Sequence, residues 1–122
     1  MAMRIFLVED SEQIRERLVE LIDALGGHTV VGAADNYDDA VAGICDSKPD
    51  VAIFDIKLAR GNGIDALAAA KHELPGLRGI VLSNYATPQH VKASADAGAE
   101  YFLDKSAEFE KIGDILAAMQ AA

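Results

Sequence analysis

Acidic side chains follow two short apolar runs of this 122-residue chain. Glu9 and Asp10 come directly after residues 3–8, and Asp55 comes directly after residues 51–54. If these runs are buried parallel strands, their carboxyl ends meet at one edge of a sheet, which is where open α/β sheets bind ligands. Clustered carboxylates repel one another unless a cation lies among them. The spacing therefore predicts a divalent metal site.

A hydroxyl and an ammonium group follow two other apolar runs. Ser83 comes directly after residues 79–82, and Lys105 lies two residues after residues 101–103. A serine at a strand end is most often a turn former, and a single lysine is most often a surface charge. At the same sheet edge as the carboxylates, however, both could bind an anion held against the metal. A phosphoryl group fits that description.

Short apolar runs alternate with segments of helical spacing, which predicts βα units on a parallel sheet. The remaining strand is predicted at residues 28–34, and the five helices after Ser11, at residues 37–47 and 64–73, after Thr87, and at residues 107–120. The predicted fold is a doubly wound, flavodoxin-like sheet of five parallel strands in the order 2-1-3-4-5, with helices on both faces. This order makes Glu9, Asp10 and Asp55 converge between the first and third strands. Gly61 and Gly63 in the loop after Asp55 permit a close approach of backbone to the site.

Length and composition limit the classes of protein to consider. With 122 residues, of which 51% are hydrophobic and 25% charged, the chain fits one globular domain, and we expect that domain to cover residues 1–122. No apolar stretch is long enough to span a membrane and no signal peptide precedes the first strand, so we expect a cytoplasmic protein. The net charge of −9 argues against direct nucleic-acid binding, which requires a basic patch.

Glu9, Asp10, Asp55, Ser83 and Lys105 together resemble the site of the receiver domain of two-component response regulators. The resemblance covers the whole chain. It implies that Asp55 is the nucleophile and forms an aspartyl phosphate. It also implies that Lys105 supplies a positive charge to one phosphoryl oxygen and that the hydroxyl of Ser83 donates a hydrogen bond to another.

The resemblance further implies a bound Mg²⁺ and a tuned phosphate lifetime. Its expected ligands are Glu9 and Asp10, one directly and one through water, together with Asp55 and the backbone carbonyl of Lys57. Many receivers carry two aspartates where this chain has Glu9 and Asp10, and the longer Glu9 is expected to change metal affinity. Lys57 and Tyr85 are expected to flank the path of the water that removes the phosphate.

As a receiver domain, the chain is expected to act as a phosphorylation-activated switch. It would take a phosphoryl group from a sensor histidine kinase or a histidine phosphotransfer protein, and it would catalyse only its own phosphorylation and dephosphorylation. Ser83 and Tyr101 are the expected switch residues, although Tyr101 could equally be a half-buried aromatic that never moves. A homodimer through the face from the fourth to the fifth helix is a further expectation.

Alternatives remain open at this point. The chain could be the receiver fragment of a longer transcription regulator. It could also be a phosphatase with an aspartyl nucleophile, but such enzymes carry the pattern Asp-x-Asp, and Asp55 is followed by Ile56 and Lys57. A flavin carrier needs a phosphate loop rich in glycine and hydroxyls after the first strand, where this chain is acidic. A degenerate receiver that only binds partners is disfavoured by the complete acidic set. The peptide bond between Lys105 and Ser106 could be cis or trans.

Overall fold

A parallel sheet of five strands, flanked by five helices, forms residues 2–121, the part of the chain that the computed structural model describes. The strands are β1 (Arg4–Val8), β2 (Thr29–Ala34), β3 (Val51–Phe54), β4 (Arg78–Ser83) and β5 (Ala99–Asp104). The helices are α1 (Glu12–Leu25), α2 (Tyr37–Ser47), α3 (Gly63–Glu73), α4 (Pro88–Asp96) and α5 (Lys111–Ala121). The strand order is β2-β1-β3-β4-β5, so the predicted fold and order are confirmed.

Two apolar clusters bury the two faces of the sheet. Along β1, Ile5 and Leu7 pack on the side of α1 and α5, whereas Phe6 and Val8 pack on the side of α2 and α3. Successive side chains of a strand point to opposite faces, and here both faces are covered by helices. This double burial is why the strands appear in the sequence as continuous apolar runs. Over residues 2–121, no helix is both long and apolar enough to cross a membrane.

Side-chain caps start the helices where the sequence predicts them. The Ser11 hydroxyl accepts a hydrogen bond from the Ile14 amide at 3.3 Å, and the Thr87 hydroxyl accepts one from the His90 amide at 3.2 Å. Asn36 caps α2 in the same way. A cap fixes both the first residue of a helix and the direction in which the preceding loop leaves it. The loops at the carboxyl end of the sheet are therefore set by local sequence.

The last helix begins later than predicted. Residues 107–110 form turns, and α5 starts at Lys111. One carboxylate oxygen of Asp104 accepts hydrogen bonds from the Ser106 amide at 2.9 Å, the Ser106 hydroxyl at 2.6 Å and the Ala107 amide at 3.3 Å. These bonds close a turn at residues 104–107, and a continuous helix begins only at Lys111. Phe109 is buried nonetheless, so the apolar pattern that suggested an earlier start reflects packing of a turn.

Smaller differences concern other boundaries. The second strand begins at Thr29 instead of residue 28, and α3 begins at Gly63 instead of residue 64. Such shifts of one residue are usual at element ends. The described residues contain no cis peptide bond, so Lys105 and Ser106 are joined in trans.

Candidate functional site

One backbone hydrogen bond follows the end of β1 and another follows the end of β3. These two bonds hold Glu9 and Asp55 at the edge of the sheet. The Glu9 amide donates to the Ala34 carbonyl at 2.9 Å, and the Asp55 amide donates to the Val8 carbonyl at 2.8 Å. Both acidic residues are therefore anchored through their backbones to neighbouring strands. The rigid sheet fixes where their side chains begin.

Glu9, Asp10 and Asp55 form an acidic cluster at this edge. Each offers a carboxylate oxygen, and these three oxygens lie within 4.8 Å of one another. Glu9 and Asp55 are buried, whereas Asp10 is exposed. Within the described residues, the Asp10 carboxylate has no hydrogen bond or ion pair. The cluster thus has one open, solvated carboxylate beside two enclosed ones.

Lys105 joins the two buried carboxylates. Its Nζ lies 2.6 Å from Oε1 of Glu9 and 3.1 Å from Oδ2 of Asp55. The remaining oxygens are also engaged, since the Ser11 amide donates to Oε2 of Glu9 at 3.1 Å and the Ile56 amide donates to Oδ1 of Asp55 at 2.8 Å. The lysine, which the sequence places 50 or more positions away from both acids, is the only ammonium group paired with either of them among residues 2–121.

Burial and charge act against each other at Glu9. Burial raises the pKa of the Glu9 carboxyl to about 7, even though the hydrogen bond from Lys105 favours its ionised form. Burial also opposes the charge of Lys105, but the hydrogen bond to Glu9 and the charge of Asp55 outweigh it and raise the pKa of the ammonium. The cluster of three carboxyl groups therefore has one firmly charged cation, which contacts two of them. Carboxylate oxygens are hard metal ligands, and their negative charge here exceeds the positive charge of Lys105. Such a cluster fits a divalent cation such as magnesium or calcium.

Ser83 ends β4 as a fully buried hydroxyl. Its Oγ accepts a hydrogen bond from the Tyr85 amide at 3.1 Å, and its carbonyl accepts one from the Lys105 amide at 3.0 Å. The ends of β4 and β5 are therefore tied together, and Ser83 and Lys105 start from adjacent positions. Because Oγ acts as acceptor in its hydrogen bond, the proton of the hydroxyl stays free to be donated.

Lys57 and Tyr85 lie on the rim of the site, and both are exposed. They line one cavity of about 380 Å³ together with Ile56, Gly61, Asn62 and His90. The backbone of Lys57 pairs with Asn62 in an isolated antiparallel bridge. Both residues are thus placed beside the Asp55 loop, on its solvent side.

Tyr101 lies on β5, opposite Ile80 of β4. It is half-buried and packs against the apolar cluster on the side of α1 and α5. The structure thus places Tyr101 on the strand that leads to Lys105, in a position between core and solvent.

The structure adds one contributor to the site and defines the contact of a second. The Arg15 guanidinium donates to the Glu9 carbonyl at 3.0 Å. A possible signal was a basic residue in the first turns of a helix, where the helix dipole disfavours positive charge. The first residue of α3, Gly63, lies so close to the Asp55 carbonyl that a Cβ would overlap it. The sequence indicated a close approach at this loop but not the atom approached.

A family model of the response regulator receiver domain matches residues 5–117. The chain belongs to this family. The prediction of a receiver domain from the sequence is thereby confirmed. Among curated relatives, the DNA-binding transcriptional activator DevR/DosR of Mycobacterium tuberculosis is 34% identical over 103 residues, which are 84% of this chain and 48% of that protein. The receiver chain spans about half the length of the curated relatives it matches.

Solved receiver structures have the same fold. The signal receiver domain of NarL from Mycobacterium tuberculosis superposes with a TM-score of 0.87 at 26% identity, covering 99% of this chain and 98% of that one. The isolated receiver domain of RcsB from Salmonella enterica serovar Typhimurium, solved in the presence of the phosphomimetic BeF₃⁻, superposes with a TM-score of 0.90 at 21% identity, covering 100% and 91%. At that identity the second likeness concerns the fold alone.

Proposed function

We propose that residues 1–122 form a single receiver domain that accepts a phosphoryl group on Asp55. The observation that carries this proposal is the placement of Asp55: its carboxylate ends a buried strand, lies among two further carboxylates and is paired with Lys105. A carboxylate oxygen of Asp55 attacks the phosphorus of a phosphohistidine in line. The bond from phosphorus to the imidazole nitrogen breaks, the donor histidine leaves with the electron pair, and an acyl phosphate forms.

Magnesium is the metal we propose for the acidic cluster. Asp10 and Asp55 would bind it directly, because Asp10 is exposed and free of other bonds. Glu9 would act through water, since it is the most buried of the three, at 2% exposure against 7% for Asp55. The Lys57 carbonyl would complete the protein ligands. When bound, magnesium neutralises charge on the phosphoryl oxygens as transfer proceeds.

Lys105 and Ser83 would hold the phosphoryl group once it is on Asp55. The ammonium of Lys105 already lies 3.1 Å from Asp55 Oδ2, so a small movement away from Glu9 brings it to a phosphoryl oxygen. The unused proton of Ser83 would be donated to another oxygen. Lys57 and Tyr85 line the cavity on the solvent side, and they would control how fast water removes the phosphate.

The phosphate signal would reach the surface through Ser83 and Tyr101. Movement of Ser83 toward the phosphate would shift α4 and the position of Tyr101 on β5. The output surface would be the face formed by α4, β5 and α5, whose polar residues include His90, Lys92, Asp104, Glu108 and Lys111. This mixed-charge face suits a transient partner or a second copy of the chain.

The partners in this proposal are proteins. The donor would be a sensor histidine kinase or a histidine phosphotransfer protein, and the domain would catalyse only its own phosphorylation and dephosphorylation. A second candidate is the receiver portion of a longer transcription regulator, which is favoured by the relative DevR/DosR and by the half-length match. With a net charge of −9, the receiver itself would not contact nucleic acid directly.

Phosphorylation by a small donor tests the function. Incubation with acetyl phosphate and MgCl₂ is expected to add the mass of one phosphoryl group, and hydroxylamine is expected to remove it. Asp55→Asn should abolish the gain, while the matched control Asp65→Asn, which alters an exposed carboxylate in the first turn of α3, should keep it. Undiminished labelling of Asp55→Asn would refute the assignment of the nucleophile.

A further inference from the structure

The side chain of Arg15 reaches back over the first turn of α1 to the acidic cluster. Its Nη1 donates to the Glu9 carbonyl at 3.0 Å, at the point where β1 has ended. The amide of Arg15 bonds to the Ser11 carbonyl at 3.0 Å within the helix. The guanidinium therefore connects a rigid helix to the backbone of the acidic turn.

The turn formed by Glu9, Asp10 and Ser11 is held from several directions. The Glu9 amide bonds to β2 at the Ala34 carbonyl, and the Ser11 amide bonds back to the Glu9 carboxylate. Arg15 adds the bond to the Glu9 carbonyl. Asp10 lies in the middle of this turn and its own carboxylate has no partner among the described residues. The position from which the Asp10 side chain starts is therefore determined by the backbone that these bonds fix.

Charge alone does not explain the position of Arg15. A positive charge near a cation site opposes the cation, and a positive charge in the first turns of a helix opposes the helix dipole. Arg15 also lines a cleft of about 330 Å³ together with Asp35 and Asp39, but within residues 2–121 it forms no ion pair with either carboxylate. The contact that the structure shows for its guanidinium is the hydrogen bond to the acidic turn.

We propose that Arg15 is a positioning residue for the metal site, holding the Glu9 carbonyl so that Asp10 faces the cation. This inference rests on the magnesium site of the proposed function. Partners that orient metal ligands contribute to metal affinity although they never touch the ion. Loss of the guanidinium should therefore weaken Mg²⁺ binding, whereas a purely electrostatic contribution would strengthen it.

The test compares Arg15→Met with Arg17→Met. Both changes remove one positive charge from α1, but Arg17 lies over the ring of Phe109, 4.2 Å from its centre. Among residues 2–121, it has no hydrogen bond or ion pair with the acidic turn. Mg²⁺ is titrated into the metal-free proteins, and binding is monitored by the amide chemical shifts of residues 9–14. The Mg²⁺ affinity should be roughly tenfold weaker in Arg15→Met than in Arg17→Met. Equal or tighter binding by Arg15→Met overturns the inference.

Two further measurements keep the test decisive. Without metal, the Ser11 amide should exchange its hydrogen faster in Arg15→Met than in Arg17→Met, and equal exchange overturns the positioning role. If Arg15→Met does not fold, Arg15→Lys replaces it, because lysine keeps the charge but has a shorter reach. Arg15→Lys should show a smaller loss of Mg²⁺ affinity. Wild-type Mg²⁺ affinity in Arg15→Lys would also overturn the positioning role. Absence of Mg²⁺ binding by the wild-type chain would instead contradict the proposed metal site.

Discussion

Glu9 and Asp55 are both buried carboxylates paired with Lys105. Glu9, which follows β1, is the more buried of the two, with 2% of its surface exposed against 7% for Asp55. Burial raises the pKa of Glu9 to about 7, from an ordinary value of 4.5. The folded protein therefore binds this proton more tightly than the unfolded chain does. The stability contributed by Glu9 is fully present below about pH 4.5 and is lost as the pH rises through about 7.

Removing the titration of Glu9 should therefore change how stability depends on pH. We expect the free energy of unfolding of metal-free Glu9→Gln, relative to that of the wild type, to increase between pH 5 and pH 7.5. Urea unfolding of both proteins at the two values measures the difference, which cancels the other titrating groups that they share. A difference that stays constant with pH would show that Glu9 titrates normally.

At this scale the sequence predicts residue types better than contacts. Asp55, Ser83 and Lys105 could be assigned to one sheet edge because each comes shortly after an apolar run that predicts a buried strand. The ion pair from Lys105 to Glu9 was not predictable, because it depends on how two side chains from distant strands share one crevice. Arg15 was not predicted either, since a basic residue early in a helix does not indicate which backbone carbonyl it bonds.

At the scale of elements, the loop from β3 to α3 is tightly constrained. The Gly63 amide bonds to the Ile56 carbonyl at 2.7 Å, and its Cα leaves no space for a Cβ beside the Asp55 carbonyl. The same loop is joined to the turn after β2, where the Ala59 amide bonds to the Asp35 carbonyl at 2.9 Å. Any side chain at position 63 must displace the backbone that carries Asp55.

Gly63→Ala should consequently lower both stability and phosphorylation. We expect the overlap with the Asp55 carbonyl to cost on the order of 2 kcal/mol of unfolding free energy and to slow labelling by acetyl phosphate. The control is Gly76→Ala, since a Cβ there meets nothing within 4 Å, and its stability should change by less than about 1 kcal/mol. Urea unfolding and the rate of mass gain measure the two effects. Normal labelling by Gly63→Ala would mean that the close approach has no role in the site.

Element boundaries were predictable where a local signal sets them. Asn36 and Thr87 start helices because their side chains bond to amides of the first turn. The start of α5 was mispredicted because Phe109 is buried within a turn and so gave an apolar pattern of helical spacing before the helix begins. Burial of a turn residue can therefore imitate the apolar spacing of a helix.

At the scale of the whole molecule, the helices are not held equally firmly. Ser94 is the only buried residue of α4, and within the described residues its hydroxyl is the one buried side-chain polar atom without a hydrogen bond. By contrast, α3 buries Ile64, Ala66 and Leu67 along with other residues. A helix with little buried apolar surface costs little free energy to displace. This asymmetry favours α4 as the element that responds to the site.

The proposed switch therefore predicts which amide resonances shift when a phosphate mimic binds. Beryllofluoride with Mg²⁺ should shift amide resonances from Ser83 through α4 and β5 to Lys111, with smaller changes in α2. The shift should be partial, because the mimic supplies only its differential affinity for the two states. Changes confined to residues 55–63 would contradict transmission to α4.

The order of the sheet was the most predictable feature of the whole molecule. Strands buried on both faces give apolar runs that are easily recognised, and right-handed crossovers leave few arrangements of five such strands. The packing of α4 was not predictable, since its small residues fit a buried or an exposed face equally well. The fold thus followed from the pattern of the chain, while the small buried surface of α4 was found only in the structure.

Chemical trapping of the acyl phosphate tests the central claim most directly. The wild-type protein is incubated with acetyl phosphate and MgCl₂ and then reduced with borohydride, which converts an aspartyl phosphate to homoserine and leaves free carboxylates unchanged. Peptide mapping is expected to find homoserine at position 55, and only when both donor and MgCl₂ are present. Homoserine at another aspartate, or a stable phosphate ester on Ser83, would contradict the assignment of Asp55 as the phosphate acceptor.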